Sequence, residues 1–214
     1  FAGVSFLDQQ LGKIIDALRE EGIYDNTLII YSSDHGDMIC DHNLLGKGAY
    51  FYDGCTNVPL IVKYPGQREG RVSGELVQLN DIFATAMAAA GLEQPVPPES
   101  RPLQPGTGRE IAVCEYRGCS QMDLGVFPHP VQATMIRGER YKLNLYHDTG
   151  EMQLFDMEDD PQELRDLAIA IAEKVVCVSL KSSSDVICRM IQTAIDKRKR
   201  REWAHIYIAE CDAK

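Results

Sequence analysis

Asp34 and His35 stand together in Ser32-Ser33-Asp34-His35-Gly36-Asp37, directly behind the apolar run Leu28-Ile29-Ile30-Tyr31. A carboxylate and an imidazole supply one oxygen and one nitrogen donor, a set that can hold calcium, magnesium, manganese or zinc. Both sit at the C-terminal end of a predicted buried strand, where open α/β sheets build their ligand sites. Lys47 follows in Leu44-Leu45-Gly46-Lys47-Gly48, and an ammonium beside a metal suits an anionic substrate. His42, next to Asp41, is either part of a second metal pair or a brace for the loop that presents Lys47. Asp37 either supports the ligands or stands as an exposed loop carboxylate. His129, in Phe127-Pro128-His129-Pro130, lies in a stiff loop from which it could reach the site for substrate recognition. Tyr50, Phe51 and Tyr52 read as packing, and nothing beside Cys40 or Cys55 would activate a thiolate.

The elements that must position these groups are legible in the apolar pattern. Val4, Leu7, Leu11, Ile14, Ile15 and Leu18 form a single helical stripe, with Gly22 placed to end the helix. Asp25-Asn26 turns the chain into a strand over 27–31, and this helix-turn-strand order predicts a largely parallel sheet. Another strand is expected over 58–64, with Pro59 marking its start or an edge position. Asp81 is expected to cap a helix that closes at Gly91. Residues 93–108 hold five of the ten prolines and read as a linker or extended surface segment. Beyond it, short strands over 111–116, 131–136, 141–146 and 152–155 follow one another without helices, which predicts an antiparallel sheet. Glu158-Asp159-Asp160-Pro161 interrupts the chain before a helical region from about 162 to 200. The run Lys197-Arg198-Lys199-Arg200-Arg201 reads as a solvated helix end. The expected division is 1–109 as an α/β domain and 110–214 as a small α+β subdomain with a terminal helix.

Composition narrows the classes. The chain has 214 residues, 44% of them hydrophobic and 25% charged, enough for a packed core. Its formal charge of −10 argues against non-specific nucleic-acid or anionic-membrane binding. The expected partner is therefore a small anionic ester, met by local positive charge; a homo-oligomer stays open. Seven cysteines without a Cys-x-x-Cys pair suit reduced thiols and a cytoplasmic location. No apolar stretch approaches the ~20 residues that span a membrane. The chain begins Phe1-Ala2-Gly3-Val4, already within a helical pattern and without an initiator Met, so it is expected to be a segment of something longer.

The order of these motifs carries a resemblance. Val4-Ser5-Phe6-Leu7-Asp8, the Asp34-His35 segment, Asp41-His42-Asn43-Leu44-Leu45-Gly46-Lys47-Gly48-Ala49-Tyr50-Phe51-Tyr52-Asp53 and Val58-Pro59-Leu60-Ile61-Val62 resemble, in sequence, the sulfatase family of the alkaline phosphatase superfamily. Gly150-Glu151-Met152-Gln153-Leu154-Phe155-Asp156-Met157-Glu158-Asp159-Asp160-Pro161-Gln162-Glu163 is similar to that family's C-terminal subdomain. The likeness covers about residues 1–168. It implies part of an alkaline-phosphatase-like α/β sandwich followed by a small antiparallel α+β subdomain. It also implies that Asp34 and His35 ligate a divalent cation, with Ca²⁺ foremost and Mn²⁺, Mg²⁺ or Zn²⁺ as alternatives. Lys47 would contact the ester oxygens and stabilise charge as the leaving group departs. Many sulfatases carry Asn at the position of His35; Asp followed by His resembles the branch of choline sulfatases and phosphonate monoester or phosphodiester hydrolases.

One family feature is absent. No Cys/Ser-x-Pro-x-Arg motif, whose first residue matures to the formylglycine nucleophile, occurs in the 214 residues. By the resemblance, that motif and the early aspartates of the metal shell lie upstream. The chain is thus expected to be the C-terminal portion of a sulfatase, inactive alone. Phosphonate monoester or phosphodiester hydrolysis is the alternative chemistry, and a non-catalytic interaction module the alternative class.

Overall fold

The stripe from Val4 to Leu18 forms helix α1 (Ala2–Glu20) in the computed structural model, which describes residues 2–92, 97, 99–118 and 131–168. Gly22 ends the helix as expected. It takes φ +69°, and the Ile23 N–H returns to the Leu18 carbonyl at 3.0 Å. The apolar stripe is not covered, however. Val4, Leu7 and Ile14 are 70%, 56% and 60% exposed, and α1 has no buried residue.

The chain continues through β1 (Ile29–Ser32), β2 (Met38–Ile39), β3 (Leu45–Gly46), the one-turn helix α2 (Asp53–Thr56) and β4 (Leu60–Lys63). β1 pairs antiparallel with β4, Ile29 opposite Lys63 and Ser32 opposite Leu60. This departs from the expected parallel sheet. The connection between the two strands carries a short hairpin pair and a single helical turn, with no helix long enough to pack across the sheet as the crossover of a parallel pair usually does. Pro59 stands immediately before β4, where a missing N–H interrupts no ladder.

Helix α3 (Asp81–Ala89) closes at Gly91, φ +65°. Asp81 does not cap it: Asn80 holds the N-cap position, and Asp81 is the first helical residue. The Asp81 carboxylate is instead buried, accepting the Gln78 and Arg101 N–H groups at 2.8 Å each and pairing with Arg109. A buried carboxylate needs several donors, and the segment over 99–109 supplies two of the three. That segment is therefore tied down over 99–109: Leu103 N–H donates to Thr85 Oγ1 at 2.9 Å, and Gly106 and Gly108 donate to Glu75.

Four strands follow, β5 (Ala112–Arg117), β6 (Gln132–Arg137), β7 (Tyr141–Tyr146) and β8 (Met152–Asp156), each antiparallel to the next. Ile136, Leu143 and Leu154 make one core cluster. Val131, Ala133 and Met135 make another, joined there by Ala49 and Phe51 from the segment just behind Lys47. After β8, residues 163–166 are irregular and helix begins at Leu167; the rest of the expected helix, and the basic run at 197–201, lie outside the described residues. Among the described residues no helix is long and apolar enough to cross a membrane.

Candidate functional site

β1 delivers the site. Ser32 Oγ donates to the Pro59 carbonyl at 2.9 Å, fixing the strand end, and Ser33 Oγ donates to the His35 carbonyl at 2.7 Å, closing a tight turn. Within it the His35 N–H donates to Asp34 Oδ1 at 2.9 Å. That bond is the largest cause holding the Asp34 carboxyl below its ordinary value. Asp34 thus stays an anion, and its side chain is 74% exposed against 11% for His35.

The imidazole is oriented by its neighbours. Nδ1 lies 3.1 Å from the Gly36 carbonyl, which can only accept, so Nδ1 carries the proton. Nε2 is then an acceptor, and Lys47 Nζ lies 2.7 Å from it. Asp34 Oδ2 is 3.5 Å from the same nitrogen. The three sequence-predicted groups therefore meet at one point. Two donor atoms 3.5 Å apart can be spanned by one cation at ligand distances of about 2.0–2.6 Å. An imidazole that gives its other N–H to a backbone carbonyl is in the usual tautomer for a metal ligand. The residues present fit a divalent cation, although among the described residues no third His, Cys, Asp or Glu joins them.

Lys47 is carried by the β2–β3 hairpin, Met38 opposite Gly46. Cys40, His42 and Asn43 at its tip all take positive φ, which costs such residues of order 1 kcal/mol or more each. The His42 ring offsets part of this by stacking on Tyr52, centroids 3.7 Å apart and planes 10° apart. That contact is the bracing role, and no second metal pair with Asp41 is needed to account for His42. Tyr50 Oη donates to the Leu45 and Gly46 carbonyls at 3.2 and 3.0 Å, and Phe51 is buried, so both serve packing. Asp37 is exposed. His129 lies outside the described residues. Burial raises the Cys55 thiol above its ordinary value and pushes Cys114 up to about 12, opposite to what an activated thiolate needs.

Beside Asp34 opens a cavity of about 420 Å³, bordered further along by Ser73, Gln78, Arg137 and Lys142. It is of a size that holds a small ligand. Arg137 is half-buried; burial lowers its guanidinium pKa, while Asp53 and Glu163 push it the other way. Lys142 has no exposed surface and lies 2.6 Å from Asp53 Oδ1 and 2.8 Å from Glu163 Oε1. Sequence reasoning gave these three residues no role. The sequence offered no signal for them: Lys142 alternates with Leu143 and Leu145 in β7, the pattern of a solvent-facing position, and only the fold buries it.

Residues 1–92 match the sulfatase family. The chain belongs to the sulfatase family. It is 36% identical over 175 residues to the uncharacterized sulfatase YidJ of Escherichia coli K12, covering 78% of this chain and 33% of that one. It is 32% identical over 173 residues to a choline-sulfatase of Rhizobium meliloti, covering 78% and 32%. Among solved structures it superposes on a phosphonate monoester hydrolase of Silicibacter pomeroyi with a TM-score of 0.73, at 23% identity, over 91% of this chain and 39% of that one. That likeness concerns the fold, and it agrees with the alkaline-phosphatase-like α/β architecture expected for a sulfatase. The chain spans about a third of the length of the curated relatives it matches.

Proposed function

We propose that the whole protein hydrolyses sulfate esters with the help of a divalent cation, and that this part of the sulfatase chain supplies two metal ligands and an anion contact. The observation that carries the reading is the meeting of Asp34, His35 and Lys47 around one imidazole nitrogen. Asp34 Oδ2 and His35 Nε2 would hold the cation, Ca²⁺ foremost. When bound, the metal would neutralise charge on the ester oxygens. His35 is kept in the required tautomer by the Gly36 carbonyl. Lys47, which donates to Nε2 in this structure, would turn its ammonium to an ester oxygen and stabilise the charge that grows as the leaving group departs. The attacking group is expected from a formylglycine motif that these 214 residues do not contain. A small anionic ester is the substrate proposed, and the cavity beside Asp34 can accommodate part of it.

The test is kinetic. In the full-length protein, Asp34→Ala and Lys47→Ala should each lower kcat/KM for an aryl sulfate by roughly 10²-fold or more, as loss of a charge-stabilising group does. Unchanged turnover in both variants would remove the assignment. Parallel assays with an aryl phosphonate and a phosphodiester decide the ester: faster turnover of either would replace the sulfate by the phosphorus ester at the same site.

A further inference from the structure

The ion cluster of Lys142, Asp53 and Glu163 joins two distant parts of the chain behind the site. Glu163 is 3% exposed, and its Oε2 accepts the Asp53 backbone N–H at 2.7 Å. Its Oε1 is 2.8 Å from Lys142 Nζ, which donates to Asp53 Oδ1 at 2.6 Å. Glu163 itself takes φ +57°, a conformation that a non-glycine residue holds only where its surroundings demand it. Asp53 is the first residue of α2, so Glu163 caps that turn from 110 residues away.

The other side of the same turn bears on the site. The Gly36 N–H donates to the Cys55 carbonyl at 2.9 Å. Gly36 also lies so close to α2 that a Cβ there would stand 2.0 Å from the Gly54 carbonyl oxygen. Gly36 in turn offers its own carbonyl to His35 Nδ1 at 3.1 Å, the bond that leaves Nε2 as an acceptor. One line of contacts therefore runs from Glu163 to Asp53, through Gly54 and Cys55 to Gly36, and ends on the imidazole.

We propose that Glu163 is a positioning residue for His35: by fixing the α2 turn it sets the Gly36 carbonyl, and so the tautomer and direction of the ring. Lys142 holds the Glu163 and Asp53 carboxylates together. The proposal rests on the metal-ligand reading of His35 for its functional meaning, but its structural content can be read without activity.

The experiment uses the full-length protein with ¹⁵N-labelled histidine and Mn²⁺ as the probe cation. In the wild type, His35, assigned through His35→Gln, should show the Nδ1–H tautomer. In Glu163→Ala that pattern should be lost or averaged, and Mn²⁺ affinity should fall about 10- to 100-fold, the usual effect of removing support behind a metal ligand. Glu163→Gln, which keeps an oxygen acceptor for the Asp53 N–H, should restore both. If Glu163→Ala does not fold, Glu163→Asp, whose carboxylate is withdrawn by one methylene, is read in the same way. A folded Glu163→Ala or Glu163→Asp with the wild-type His35 pattern and Mn²⁺ affinity overturns the proposal, as does failure of Glu163→Gln to rescue. Should wild-type protein bind no Mn²⁺ while His35 still responds to Glu163, the metal reading falls and the positioning stands.

Discussion

Asp34 and Asp156 show how differently two carboxylates are held as anions. Asp34 relies on a neighbouring backbone N–H and remains exposed, as a group meant to meet a ligand can. Asp156 is clamped by Arg140, whose Nε and Nη2 donate to Oδ2 at 2.9 and 2.7 Å, and that hydrogen bonding is the largest cause lowering its pKa. A carboxyl whose folded pKa lies below the unfolded value near 3.9 stabilises the fold above that value and loses the contribution as pH falls through the folded one. Arg140→Gln should therefore unfold at lower urea than wild type at pH 7, with the gap closing as the pH is taken below about 4. An equal gap at pH 7 and in strong acid would show that Arg140 acts by packing alone.

At the scale of elements, the contact between Gly36 and α2 is the tightest near the site. Gly36→Ala must push backbone against backbone, and urea unfolding should show a loss of about 2–3 kcal/mol, the upper part of the range for overpacking. Gly54→Ala offers a contrast: its Cβ would meet the Met38 sulfur at 2.9 Å, and a flexible side chain can yield, so the loss should be smaller. A reversed order would mean that α2 is not rigidly seated. The sequence made α1, the Gly22 and Gly91 stops and the four-strand sheet legible, because periodicity and turn chemistry are local. It also placed Asp34, His35 and Lys47 together, since they lie within fourteen consecutive positions. Asp53, Lys142 and Glu163 could not be assembled that way: they are separated by 89 and 110 positions and meet only through tertiary packing. Asp81 misled for the same reason. Its position suggested a local cap, and its partners Arg101 and Arg109 come from far along the chain.

For the whole molecule, the core that supports Lys47 belongs partly to the four-stranded sheet. Phe51, 1% exposed, packs with Val131, Ala133 and Met135. Phe51→Ala should cost about 3–5 kcal/mol in urea unfolding, the cost of a large cavity in such a core. A loss below about 1 kcal/mol would place Phe51 outside the shared core. The segment over 99–109 has a consequence for how the chain can be cut. Its prolines suggest a linker, and Arg109, followed by Glu110, is a natural trypsin target, whereas Arg101 is shielded by the Pro102 that follows it. Yet the Arg109 side chain is 6% exposed, its N–H donates to the Leu76 carbonyl at 3.1 Å, and Asp81 holds the Arg101 N–H. A protease must draw several residues free of their bonds before it can cleave. Trypsin added to the native protein should leave the Arg109–Glu110 bond whole, and composition alone would have marked that bond as the easiest place to divide the chain.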